Sequence, residues 1–126
     1  MKIRESAEDY LETILILQAK KPNVRSIDIA VELNYSKPSV SVAMKKLEDL
    51  NYITRDNSGF IKLTEKGYEI ASGVYERHTL IADFFMSIGV CERTALTDAC
   101  RIEHIISEES FAKLKEHLNK IKNSKE

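Results

Sequence analysis

Cys100, Glu103 and His104 stand at i, i+3 and i+4 of a stretch with helical patterning, which places a thiol, a carboxylate and an imidazole on one helix face. Together these groups are transition-metal ligands, and a mixed sulfur, oxygen and nitrogen set suits Fe(II), Mn(II), Co(II), Ni(II) or Zn(II). Asp9 and Glu12, three positions apart on an earlier helical stretch, share a face of their own. His78 falls on a third stretch. Each residue also has an ordinary reading. Asp9 and Glu12 suit a helix N-terminus, Cys100 alone would be a small buried hydrophobe, Glu103 and His104 could be an exposed pair, and His78 a packing residue. The triplet is the most specific feature. Asp9, Glu12 and His78 gain weight only if their helices converge, which spacing leaves open. Cys91 fits no ligand position, and His117 reads as surface.

A second chemistry is carried by residues 20–46. The cations there are Lys20, Lys21, Arg25, Lys37, Lys45 and Lys46, against Asp28 and Glu32. Lys37, Ser41 and Lys45 are spaced by four and form a line along one helix side. Ser36 and Ser39 sit in a first turn, where hydroxyls and free backbone N–H groups can meet phosphate. Pro38 and Val42 can touch thymine methyls. The candidate DNA face is therefore Arg25, Ser26, Ser36, Lys37, Pro38, Ser39, Ser41, Val42, Lys45 and Lys46. Taken alone, each lysine reads as an ordinary solvated helix residue.

The elements that must position these groups follow from periodicity and punctuation. Ala7, Tyr10, Leu11, Ile14 and Leu17 recur at three and four, predicting a helix over Glu5–Lys20 that Pro22 stops. A short helix starts at Ser26, a good N-cap, and carries Ile27, Ile29, Ala30 and Leu33. After Asn34-Tyr35, Ser36 caps a third helix that tolerates Pro38 in its first turn and buries Val40, Ala43, Met44, Leu47 and Leu50. Asn51 closes it. Two β-prone runs, Tyr52–Arg55 and Phe60–Leu63, flank the turn-forming Asp56-Asn57-Ser58-Gly59 and read as a hairpin. Thr64 caps a long fourth helix to about Ile88, ended by Gly89. A fifth helix is expected over Glu92–Ile106, and Ser107 caps a sixth that runs into the lysine-rich tail.

Helix, tight turn, helix and hairpin in that order make a winged helix-turn-helix, which lays its second helix in the major groove. Contacts from the hairpin by Arg55, Asn57 and Ser58, and a purely structural hairpin, are both open readings. Asp56 is unfavourable near phosphate.

Composition narrows the classes. Of 126 residues, 43% are hydrophobic and 31% charged, which fits a soluble globular chain rather than a disordered one. Nineteen Lys+Arg against twenty Asp+Glu give a formal net charge of -1, excluding a strongly basic non-specific coat for nucleic acid but not a chain that separates its charges. No apolar run is long enough to span a bilayer, and the Met1–Arg4 start leads into no signal-peptide stretch. Two cysteines make no disulfide framework and no CxxC pair, so a reducing, cytoplasmic setting is expected.

The chain resembles the diphtheria toxin repressor and manganese transport regulator family of metal-dependent transcriptional repressors. The likeness runs through Ala7-Glu8-Asp9-Tyr10-Leu11-Glu12, Ser26-Ile27-Asp28-Ile29-Ala30 and Lys37-Pro38-Ser39-Val40-Ser41. It continues through Leu63-Thr64-Glu65-Lys66-Gly67, Arg77-His78-Thr79-Leu80 and Asp98-Ala99-Cys100-Arg101-Ile102-Glu103-His104. The resemblance implies that Asp9, Glu12, His78, Cys100, Glu103 and His104 occupy the family's metal-binding positions. It implies a homodimer formed through the helices after the wing, with Ser36, Pro38 and Ser39 near double-stranded operator DNA. The expected fold is mainly α: a winged helix-turn-helix over residues 1–70, then a helical metal-binding and dimerisation domain over 71–126. No C-terminal SH3-like domain is expected.

Departures from the family pattern are specific. Asp9 matches the manganese-type branch and Cys100 the iron-type branch, so the ligand set is a hybrid. The iron-type ancillary site needs a carboxylate where Ala82 stands and a histidine where Leu96 stands, so that site is expected to be absent. The expected function is regulation of iron or manganese homeostasis by a divalent metal that orders a homodimer for operator binding. Fe(II) is favoured over Mn(II), and Co(II), Ni(II) or Zn(II) can substitute in vitro. The alternative is a metal-independent winged-helix regulator that senses a small molecule or oxidant through Cys100. An enzyme is not expected, because neither HExxH nor a nucleophile motif is present.

Overall fold

Glu5–Lys20 forms helix α1 in the computed structural model, which describes residues 5–124 and side-chain surroundings for 6–121. The Met1–Arg4 start lies outside the described residues. The chain divides into two compact units, Met1–Gly73 and Val74–Glu126. The described residues hold six helices and one two-stranded sheet, with the winged helix-turn-helix first and a helical unit after it. No helix among them is long and apolar enough to cross a membrane.

In the first unit, α1 buries Tyr10, Leu11, Ile14 and Leu17 against α2 (Ser26–Leu33) and α3 (Lys37–Asp49). The N-cap of α2 is Arg25, not Ser26. Asp28 reaches back to accept the Arg25 N–H at 2.8 Å, and Lys21 Nζ holds its other oxygen at 2.8 Å. An acid at the third helical position satisfies the orphan N–H from inside the helix, so the serine hydroxyl is not needed.

Asn34 takes a left-handed φ of 57° and turns the chain out of α2. Ser36 caps α3 as expected, its Oγ accepting the Ser39 N–H at 3.3 Å. Of the expected buried face, Val40, Met44 and Leu47 are buried and Ala43 partly so, but Leu50 is 54% exposed. The helix has already ended there. Asn51 adopts φ 66°, and the Tyr52 N–H returns to the Leu47 carbonyl at 2.9 Å, closing the terminus over Leu50. Ile27 is likewise exposed at 41%.

Strands β1 (Ile53–Arg55) and β2 (Ile61–Leu63) pair antiparallel, with Thr54 opposite Lys62. Val24 adds a bridge on the other side of β2, accepting the Ile61 N–H at 2.7 Å, and is itself buried. That third backbone contact roots the wing in the loop before α2.

Helix α4 (Glu65–Ser87) begins at a double lock. Thr64 Oγ1 accepts the Gly67 N–H at 3.1 Å and donates to the Asn51 carbonyl at 2.8 Å. Gly67 faces Tyr52 so closely that any Cβ would be driven into the Tyr52 carbonyl.

The second unit holds the rest of α4, α5 (Glu92–Ile102) and α6 (Glu108–Ser124). Ile81, Ala82, Ala95 and Ala99 form its core, with Phe85, Met86 and Ile106 packed on it. Gly89 ends the α4 turn at φ 104°. Helix α5 stops four residues before the expected Ile106. The Ile105 and Ile106 N–H groups both fold back onto the Ile102 carbonyl at 3.0 and 2.9 Å, and Ser107 then caps α6 through the Ser110 N–H at 3.0 Å.

Candidate functional site

Helix α3 presents Lys37, Pro38, Ser39, Ser41, Val42, Lys45 and Lys46 to solvent, opposite its buried Val40, Met44 and Leu47. Val42 is 58% exposed on this polar face, an apolar group with no packing task inside the unit. The Ser36 hydroxyl donates to Ser39 Oγ at 2.8 Å, so the two first-turn hydroxyls are held together at the helix N-terminus. Around them lie the backbone N–H groups that an anion meets at such a terminus. Arg25 lies beside the wing, its guanidinium 4.6 Å from the centre of the Phe60 ring, a cation–π stack. Ser26 is half-buried in the first turn of α2.

The wing is arranged differently from a free basic loop. Arg55 is drawn back to α3, its Nη2 2.9 Å from Glu48 Oε1. Arg55, and secondarily the charge of Lys45, hold the Glu48 carboxyl below the usual range. Asp56 turns its Oδ1 inward to accept the Ser58 and Phe60 N–H groups at 2.9 and 3.0 Å. The carboxylate shapes the turn while staying exposed at the loop. Asn57 and Ser58 are exposed at the tip. Phe60 and Glu48 escape a reading of the sequence because their partners are set by the fold.

In the second unit, three expected metal-binding residues come together. Glu103 is 1% exposed; its Oε2 lies 3.0 Å from His78 Nδ1 on α4, and its Oε1 lies 3.3 Å from His104 Nε2. Among the described residues, neither Glu103 oxygen has a partner in hydrogen-bond geometry. Two imidazole nitrogens and a fully buried carboxylate thus crowd together without aligned hydrogen bonds among them. An ionised carboxylate taken from water needs a positive charge beside it. Donor atoms of these types, close but not bonded to one another, fit a divalent cation with nitrogen and oxygen ligands.

The i, i+3 relation expected for Cys100 and Glu103 is kept across the end of the helix, with the Cys100 sulfur and a Glu103 carboxylate oxygen within 4.8 Å of each other. Cys100 lies within α5 and is exposed, Glu103 caps the helix, and His104 lies in the turn after it. At the end of α5, Arg77 Nε donates to the Glu103 carbonyl at 2.9 Å.

Asp9 and Glu12 lie in the first unit on α1, where Asp9 is half-buried and Glu12 is 8% exposed. Thr13 Oγ1 donates to the Asp9 carbonyl at 2.7 Å. His117 is exposed on α6. Cys91 is the exposed N-cap of α5; the Thr94 hydroxyl, 3.3 Å from its sulfur, and neighbouring backbone N–H groups hold its thiol below the usual range.

Two family descriptions cover this arrangement. Residues 2–58 match the iron dependent repressor N-terminal DNA binding domain, and residues 64–126 match the iron dependent repressor metal binding and dimerisation domain. The chain belongs to the iron-dependent repressor family. It carries the DNA-binding and metal-binding modules of that family in sequence, and its class is that of metal-dependent transcriptional regulators.

An HTH-type transcriptional regulator of Methanocaldococcus jannaschii is 35% identical over 94% of this chain and 96% of its own length. The HTH-type transcriptional regulator MntR of Shouchella clausii is 37% identical over 81% of this chain and 71% of its own. Among solved structures, the manganese regulator SloR matches with a TM-score of 0.79 and 31% identity, covering 90% of this chain and 53% of that one. The IdeR structure of T. acidophilum matches at 0.78 and 27%, covering 89% and 53%. The chain spans about half the length of these two solved relatives.

Proposed function

We propose that the chain is a cytoplasmic, homodimeric repressor whose binding to double-stranded operator DNA depends on a divalent cation. The observation that carries this reading is the buried Glu103 carboxylate between His78 and His104, in a chain that also exposes a line of Lys37, Ser41 and Lys45 on α3. We assign His78, Glu103, His104 and Cys100 as ligands, with Asp9 and Glu12 of α1 completing the set. A bound cation supplies the positive charge that offsets the mutual repulsion of these acids and a thiolate.

The chain's own residues do the rest. Glu103 offers a carboxylate that cannot turn to water, His78 and His104 offer nitrogens beside it, and Cys100 offers a soft donor at the solvent side. The DNA face is assigned to Arg25, Ser26, Ser36, Lys37, Pro38, Ser39, Ser41, Val42, Lys45 and Lys46. The lysines and Arg25 meet phosphates, the Ser36–Ser39 terminus meets one more, and Val42 and Pro38 meet base methyl groups. Two such helices of a dimer must sit about 34 Å apart, or a multiple of it, to enter successive major grooves.

Cys100 is a soft ligand and favours Fe(II), whereas Asp9 and Glu12 are hard and suit Mn(II). Iron is the preferred assignment, although SloR is described as a manganese regulator. Operator titrations with Mn(II) and with anaerobic Fe(II) test both parts. Binding should require one of the metals and vanish with chelator, and Cys100→Glu should move the preference towards Mn(II). Operator affinity unchanged by chelator would overturn the reading in favour of a metal-independent regulator sensing through Cys100.

A further inference from the structure

Arg77 and His78 are consecutive residues of α4, and both reach Glu103. His78 meets its carboxylate at 3.0 Å, while Arg77 Nε donates to its backbone carbonyl at 2.9 Å. One residue is thus gripped at two points by one helix, at the side chain and at the peptide. The carbonyl that Arg77 takes is among those left without an intrahelical partner at the end of α5, where a cation is favoured by the helix dipole. Beyond it the chain turns rather than continuing as helix, and the turn carries His104 to within 3.3 Å of the other Glu103 oxygen.

We propose that Arg77 is a positioning residue for the metal centre. It fixes the terminus of α5 so that Glu103, His78 and His104 converge before any cation arrives. This inference rests on the assignment of those three as ligands. A guanidinium suits the task because its planar N–H groups have a fixed direction, whereas a lysine ammonium on its flexible stem does not. Residues that orient ligands, without binding the ion, typically set metal affinity by about 10- to 100-fold.

The test uses the full chain and Mn(II) alone, titrated by calorimetry, with hydrogen exchange followed at the amides of Glu103–Ile106 in metal-free protein. Arg77→Met keeps the aliphatic stem and removes the donors. It should weaken Mn(II) binding about 10- to 100-fold and speed exchange in that turn, with Arg77→Lys recovering part of both. A lowered melting temperature with unchanged Mn(II) affinity would mean that Arg77 only stabilises the fold, and would overturn the proposal. Should Arg77→Met fail to fold, Arg77→Lys alone decides between weakened and wild-type affinity. His78→Ala and Glu103→Gln serve as references. Mn(II) binding that survives both removes the ligand assignment itself, whereas binding lost in both but intact in Arg77→Met removes only the positioning role.

Discussion

Glu103 sits 1% exposed with an imidazole on either side, an environment a carboxylate tolerates only when positive charge is close. Glu103→Gln keeps the shape and removes the charge. Without metal it should therefore raise stability rather than lower it, because a neutral amide costs less to bury than an ionised carboxylate. The stabilisation that Mn(II) gives the wild-type chain should disappear at the same time, and thermal melts with and without the ion read both effects. Cys100 and Cys91 are both exposed, yet only Cys100 is assigned as a ligand. Metal loading should protect Cys100 from iodoacetamide and leave Cys91 reactive, with peptide mass analysis separating the two. Asp28 allows a pH expectation with a definite sign. Its hydrogen bond from Lys21, then that from the Arg25 N–H, hold its carboxyl below the usual range in the folded chain. The unfolded carboxyl takes up protons more readily, so this contribution is complete above the ordinary carboxylate range and is lost as pH falls through the depressed folded value. Asp28→Asn should cost about 0.5–1 kcal/mol at neutral pH and flatten the acid limb of the stability curve.

Helix boundaries follow local chemistry wherever the deciding atoms are neighbours in the chain. Ser36 with Pro38, Asn51 after α3, Thr64 before α4 and Gly89 after it are all visible in the sequence, because each acts within a turn of where it stands. The end of α5 was not legible, and the Glu103 carbonyl there is met by Arg77, a residue 26 positions away. Val24 was missed for a related reason: a single valine between polar residues forms a β-bridge only when Ile61 is brought beside it. Arg25 displaced Ser26 as cap because Asp28 supplies the acceptor from inside the helix. Gly67 looks like a weak point in a long helix, but the Tyr52 carbonyl occupies the space of its missing side chain. Gly67→Ala should destabilise the first unit by about 1–3 kcal/mol or more, despite the gain in helix propensity. Chemical denaturation followed by circular dichroism would measure that loss.

At the scale of the whole chain, ligand chemistry was readable as residue types, and their meeting place was not. Spacing put Cys100, Glu103 and His104 on one helix face; the fold ends the helix at Ile102, keeps the Cys100 and Glu103 ligand atoms within 4.8 Å, and adds His78 from α4. If metal and DNA binding are coupled as proposed, the coupling is reciprocal, typically about 1–3 kcal/mol. Operator DNA should then tighten Mn(II) binding by the same factor by which Mn(II) tightens operator binding, as paired titrations would reveal. Lys45→Ala should weaken binding to all sequences and reduce the steepness of its dependence on log salt by about 0.9, leaving metal affinity intact. The wing adds a different consequence. With Arg55 tied to Glu48, the charge left at the loop tip is the exposed Asp56 carboxylate, which a phosphate repels rather than attracts. Base pairs flanking the reach of α3 are then sensed weakly, so operators that differ only in those flanks should compete with one another on nearly equal terms.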